Sequence, residues 1–190
     1  MTQALLVIDY INGIAKTGVC VSYLNDHPEV LANTNRLIRA FRAKSLPIIF
    51  IRLAFDANYA GLPQYAPPAE YMKKHKLFQL GSEDVQFIDE LDYNAEDIVV
   101  NKTYGNPFFG NDLEKQLTAL GAQELIFTGI ATNNAILFGA NAAIEKNFKV
   151  TLVHDACGAQ TDADHEAALA IIKNRAANEI VDARTLLGSI

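Results

Sequence analysis

Residues 124–134 read Glu124-Leu-Ile-Phe-Thr128-Gly-Ile-Ala-Thr-Asn-Asn134, and their order decides the fold. A short, nearly continuous apolar run gives way to a glycine turn, then to a stretch of helical composition from Asn134 to Lys146. Such a run lacks the alternation of a half-exposed strand. It suits a strand covered on both faces, hence a parallel sheet between helix layers. The pattern recurs outward in both directions. Ala4-Leu-Leu-Val-Ile8, Pro47-Ile-Ile-Phe-Ile-Arg52 and Asp97-Ile-Val-Val100 precede it; Val150-Thr-Leu-Val153 and the weaker Glu179-Ile-Val-Asp182 follow. Helical patterns fill the gaps. Val30, Leu31, Leu37, Ile38 and Phe41 mark an apolar face behind Pro28, which suits a first helical turn. Asn111 with Glu114 reads as a capping box, Gly121 and Asn147 as left-handed stops, and Asp162 as the cap of a last long helix. Strands alternating with helices through short connections predict an α/β doubly wound fold. It has a mainly parallel sheet of about six strands with helices on both faces, in one domain over residues 1–190.

The totals narrow the function classes. Of 190 residues, 50% are apolar and 20% charged, a globular composition, and the net charge of −6 argues against a nucleic-acid partner. Cys20 and Cys157 form no CxxC pair, no basic leader precedes Ala4, and no apolar run reaches the roughly 20 residues of a membrane span. A cytoplasmic chain with no membrane partner is expected. Residues 58–80 break the rhythm with Gly61, Pro63, Pro67, Pro68 and the basic run Lys73-Lys74-His75-Lys76. A loop this long inside a compact domain reads as a lid or an oligomer contact.

In open parallel sheets, ligands bind outside the carboxyl ends of the strands. Asp9 follows the first strand and Arg52 ends the second. Lys102 lies two residues past the third, the 129–134 turn follows the fourth, and His154-Asp155 follows the fifth. Asp9 and Lys102, taken as ends of neighbouring strands, can hold each other ionised and exchange a proton with a substrate. A purely structural ion pair is the alternative. Gly129 permits close backbone approach, and Thr132 or Asn133 is placed to cap the next helix, whose N–H groups suit a developing oxyanion.

These residues resemble a family. Val-Ile-Asp9, Val-Val-Asn-Lys102, Phe108-Phe-Gly-Asn-Asp-Leu113, Thr128-Gly-Ile-Ala-Thr-Asn-Asn-Ala135 and Val153-His-Asp-Ala-Cys157 are similar, in order and spacing, to motifs of the isochorismatase-like hydrolases, also called cysteine hydrolases. The resemblance implies a working set of aspartate, lysine and cysteine. The aspartate falls on Asp9, the lysine on Lys102 and the cysteine position on Ala135. It further implies substrate and oxyanion contacts at Ile130, Ala131 and Asn134, with a cis bond between Ile130 and Ala131. A small-molecule substrate, a homo-oligomer and no cofactor are expected with it. The family's nicotinamidase branch binds a metal after the second strand. The matching segment here, Phe55-Asp-Ala-Asn-Tyr59, has no histidine, and His27, His75, His154 and His165 show no ligand spacing, so no metal is expected. His165 reads as a first-turn helix residue, Cys157 as structural, and Cys20 as a loop cysteine.

A thiolate attacks an amide or imide carbonyl, and a methyl group cannot. Three readings therefore fit Ala135. The chain is an amide or imide hydrolase disarmed at its nucleophile, an enol-ether hydrolase that works without cysteine, or a binding module on an enzyme scaffold.

Overall fold

The computed structural model describes residues 1–190. In chain order it contains β1 (Gln3–Ile8), α1 (Val21–Asp26), α2 (Glu29–Ala43), β2 (Ile48–Leu53), α3 (Ala69–Lys74), β3 (Ile98–Lys102) and α4 (Leu113–Ala119). Then come β4 (Glu124–Ile130), α5 (Leu137–Glu145), β5 (Lys149–Gly158), α6 (Asp162–Arg175), β6 (Glu179–Val181) and α7 (Ala183–Leu187). The six strands form one all-parallel sheet in the order β3-β2-β1-β4-β5-β6. The winding direction reverses between β1 and β4, and sheets of this kind bind ligands at the carboxyl ends of the strands beside such a point.

The apolar runs are continuous because both faces of the sheet are covered. Successive residues of a strand point to opposite faces. Leu5, Val7, Phe50 and Ile126 accordingly pack on one side with Leu37, Ile38 and Phe41 of α2. Ala4, Leu6, Ile8, Ile49, Ile51 and Leu125 pack on the other with Leu117 of α4, Ala140 of α5 and Ile172 of α6. None of the helices is long and apolar enough to cross a membrane.

Several local expectations are corrected. The third strand runs to Lys102 itself, and β2 lies between β1 and β3, so Asp9 and Lys102 do not end neighbouring strands. The fifth strand is ten residues long, which puts His154 and Asp155 inside it rather than after it. The capping box does not form: Asn111 Oδ1 accepts the Leu113 N–H at 3.0 Å, while Glu114 pairs with Lys146 at the end of α5. Thr161, not Asp162, caps α6, accepting the Asp164 N–H at 3.1 Å. Gly121 (φ 67°) and Asn147 (φ 66°) are the left-handed stops expected after α4 and α5. The irregular stretch contains α3 and a small core of its own, built from Phe55, Tyr59, Leu62, Ala69 and Met72.

Candidate active site

Asp9 is the first residue beyond β1. Its φ of 60° is left-handed, a conformation a short polar side chain tolerates and one that recurs at functional sites. Its N–H still donates to the Ile51 carbonyl at 2.8 Å, so the turn begins with the residue anchored to β2. The Asp9 carboxylate takes the Leu53 N–H on Oδ1 at 2.8 Å and Lys102 Nζ on Oδ2 at 2.7 Å. The lysine reaches over the end of β2 to make this contact and also donates to the Tyr104 carbonyl at 3.0 Å. Both side chains are buried, Asp9 at 4% and Lys102 at 2% exposure. Burial pushes the Asp9 carboxyl above its ordinary range, against the lowering effects of the Lys102 ammonium and the Leu53 N–H. The pair therefore holds a proton more readily than a solvated carboxylate does. A lysine has three donors, and these two partners leave one for another acceptor.

The turn after β4 follows the strand paired with β1, in which Gly129 lies opposite Ile8. Gly129 sits where β4 presses on β1: a β-carbon there would stand 2.2 Å from the Ile8 carbonyl oxygen, and its φ is 122°. The Ile130–Ala131 peptide bond is cis. The chain then makes one wide turn, Thr132–Ile136, before α5 begins at Leu137. Neither Thr132 nor Asn133 caps it, contrary to expectation. Thr132 is fully buried, and its hydroxyl bridges the Gly158 carbonyl and His165 Nδ1 instead, each at 2.9 Å. The Ala131 carbonyl accepts the N–H groups of Asn134 (3.0 Å) and Ile136 (3.2 Å). The Asn134 N–H is thereby engaged within the turn. A β-carbon at Gly105 would stand 2.5 Å from Asn134 Oδ1, so the loop after β3 closes against this turn. Ala135 is fully buried in the apolar cluster that also holds Ile8, Phe108 and Ile136.

Other residues at strand ends serve the fold. Arg52 Nε donates to Asn101 Oδ1 at 2.9 Å and its Nη1 to the Val85 carbonyl at 3.1 Å, with the guanidinium 5.6 Å from the Phe87 ring centre. Asp155 accepts the Ala183 N–H at 2.7 Å and the Asn33 side chain at 3.0 Å, which ties β5 to α7 and α2. His154 lines a concavity of about 610 Å³ against α6 and β6, with Glu166 and Lys173. Asp56 Oδ1 is engaged by the N–H groups of Asn58 and Ala60, both at 2.9 Å. No three histidine, cysteine, aspartate or glutamate side chains gather closely enough to share a metal ion. Cys20 and Cys157 are both buried, and burial, with some effect from Asp9, pushes the Cys20 thiol up to about 12. Burial raises the Cys157 thiol too. Neither is a thiolate at neutral pH.

A buried aspartate–lysine pair thus lies beside the switch point of a doubly wound sheet, the place where such sheets bind their ligands. Residues 3–184 match the isochorismatase domain. The chain belongs to the isochorismatase family of hydrolases. It is 28% identical over 185 residues to the isochorismatase-family protein YwoC of Bacillus subtilis, covering 94% of this chain and 92% of that one. It is 33% identical over 146 residues to the ureidoacrylate amidohydrolase RutB of Serratia proteamaculans, covering 68% of this chain but only 59% of that relative. Its fold superposes on a cysteine hydrolase from Pseudomonas syringae pv. phaseolicola with a TM-score of 0.86 at 20% identity, covering 98% of this chain and 91% of the other.

The sequence singled out Asp9 and Lys102, which the structure brings together, and the turn that follows β4. It missed the Leu53 N–H and the Tyr104 carbonyl, because backbone groups carry no sequence signal. It also missed the link between Thr132 and His165, which are 33 residues apart.

Proposed function

We propose that this chain is built to hydrolyse a small carbon–nitrogen substrate of the amide or imide type, with Asp9 and Lys102 as its proton-handling pair and Ala135 at the nucleophile position. The observation that carries this reading is the ion pair itself, 2.7 Å long and buried at the carboxyl edge of the sheet. A carboxyl held above its ordinary range by burial is suited to take a proton from a nucleophile and return it to a leaving nitrogen. Lys102 keeps Asp9 oriented and offers its remaining N–H to substrate. Ile130 and Ala131 shape the turn expected to face the developing oxyanion, with the Asn134 side-chain amide at the mouth. The amidohydrolase among the relatives supports the carbon–nitrogen class. With a methyl group at Ala135, no covalent acyl intermediate can form there, so the chain as written is disarmed for this chemistry.

The raised Asp9 carboxyl also favours a second reading. Such an acid can protonate the carbon of an enol ether, after which water attacks the cation, and no thiol is needed. The test is turnover by the parent, Ala135→Cys and Asp9→Asn proteins on panels of small amides and enol ethers. Amide hydrolysis that appears only with Ala135→Cys supports the first reading. Enol-ether hydrolysis by the parent supports the second. Inactivity of every variant, with no panel member bound, leaves a binding module. Self-association in the cytoplasm belongs to the same proposal. The exposed Tyr65 and Tyr71 of the 58–80 stretch support it, and sedimentation tests it.

A further inference from the structure

The hydroxyl of Thr132 makes two hydrogen bonds, and their chemistry fixes which atom donates in each. The Gly158 carbonyl can only accept, so the single hydroxyl proton of Thr132 goes to it, at 2.9 Å. The hydroxyl oxygen must then accept from His165 Nδ1, also at 2.9 Å. The imidazole is thus held with its proton on Nδ1. The relay runs from His165 on α6 through Thr132 at the start of the turn to Gly158 at the end of β5. It joins three elements that the sequence keeps apart. Thr132 is fully buried, His165 is 7% exposed, and Thr132 directly follows the Ile130–Ala131 link.

We propose that His165 is a positioning residue: by donating from Nδ1 to Thr132, it holds the turn over residues 130–135 in the geometry the Asp9–Lys102 site requires. The positional part rests only on this hydrogen-bond relay. Its catalytic consequence rests on the reading given under Proposed function. Gly158 is part of the same clamp, because a β-carbon there would stand 3.0 Å from the Tyr23 ring. Tyr23 itself lies 5.8 Å from the His165 ring, centre to centre.

The surroundings favour a neutral ring. Burial lowers the His165 pKa below its ordinary value; Glu166 and Asp162 on its own helix oppose this, while His154 on β5 and His27 after α1 reinforce it. Acid that protonates Nε2 leaves the Nδ1 donor in place but puts a charge inside the clamp. The turn should therefore loosen as pH falls below the ordinary histidine range.

The test needs no turnover. Nitrogen-15 spectra of the parent should show neutral His165 protonated on Nδ1. Backbone amide exchange over residues 133–136 should quicken about fivefold to tenfold in His165→Leu, as expected for one lost hydrogen bond. His165→Asn, whose amide N–H stands close to the Nδ1 position, should restore slow exchange. Thr132→Val should loosen the turn equally, and the double variant should do no more than either single one. A ring protonated on Nε2, or additive effects of the two changes, would overturn the proposal. Should His165→Leu fail to fold, the parent's tautomer and the Asn variant still decide. In an Ala135→Cys background, His165→Leu should lower kcat with little change in KM, and His165→Asn should retain it. An inactive Ala135→Cys protein with the Nδ1 tautomer and non-additive exchange intact would refute the amide-hydrolase reading and leave His165's structural role standing.

Discussion

The sheet buries one carboxylate near each of its edges, and both face a lysine. At the amino edge, Glu124 accepts from Gln3 Nε2 (3.0 Å), Thr151 Oγ1 (2.7 Å) and Lys149 Nζ (3.1 Å). Lys149 is shared with Glu179 and is about a third exposed. At the carboxyl edge, Asp9 has one backbone N–H and a lysine that is itself buried. Burial pushes both carboxyls up. At Glu124 the hydrogen bonds from Gln3, Thr151 and Lys149 more than offset it, and the group lies below its ordinary range. At Asp9 they do not, and the group lies above it. A lysine beside a buried carboxylate thus does not by itself make a site. The amino-edge pair is saturated with donors and stays ionised, whereas the carboxyl-edge pair keeps both proton affinity and an unfilled donor.

Turnover should separate the two most sharply. In an Ala135→Cys protein that hydrolyses amides, Asp9→Asn should lower kcat/KM by about 10²–10⁴-fold, the usual weight of a general acid–base group. Glu124→Gln should leave it unchanged. Equal losses at both positions would erase the distinction.

The lysines should differ next. Lys102→Met leaves a buried carboxylate without its cation, so denaturant unfolding should show a loss of about 3–5 kcal/mol. Lys149→Met removes a cation that water partly replaces, and a loss of about 1 kcal/mol or less is expected. The comparison fails if Lys149→Met is the costlier change.

The acid limb of the stability curve gives a smaller, signed effect. Glu124 binds its proton more weakly folded than unfolded. Its contribution is present above the ordinary glutamate range and is lost as pH falls through the folded value. Glu124→Gln should therefore flatten the decline in acid. Asp9 has the opposite sign: its raised folded value contributes stability below the ordinary aspartate range, lost as pH rises through the folded value. Asp9→Asn should steepen the decline. Unfolding midpoints followed from about pH 7 to pH 3 distinguish the two slopes.

The smallest effect concerns thiols. With the Cys20 thiol raised to about 12 and Cys157 raised as well, a thiol-specific disulfide reagent should leave the native parent unlabelled at neutral pH. Both cysteines should react on unfolding. Rapid labelling of the parent would show that burial does not protect Cys20 and Cys157.

The sheet was legible because its strands are buried on both faces, and that requirement writes itself into the chain as unbroken apolar runs such as Ala4–Ile8 and Leu125–Phe127. Asp9 was legible for a related reason, since a polar residue that ends such a run marks a strand's carboxyl edge; after Thr128 the glycine that breaks the run still lies inside β4, which continues to Ile130. Local signals were less dependable. The Asn111 and Glu114 pair has the spacing of a capping box, yet Glu114 finds Lys146 across the helix layer instead. Thr132 has the composition of a cap, yet its hydroxyl is taken up by His165 and Gly158.

By itself, then, the sequence determined the fold class and the order of the strands, and it singled out Asp9 and Lys102, because burial periodicity is a property of consecutive residues; the ends of β3, β4 and β5 were set by their neighbours in the sheet. Only the tertiary structure decided that Lys102 spans β2 to reach Asp9, that the two carboxylates hold protons differently, and that α6 sends His165 to brace the turn. Those outcomes depend on how many donors converge on one buried atom from elements far apart in the chain, and no local pattern records that number.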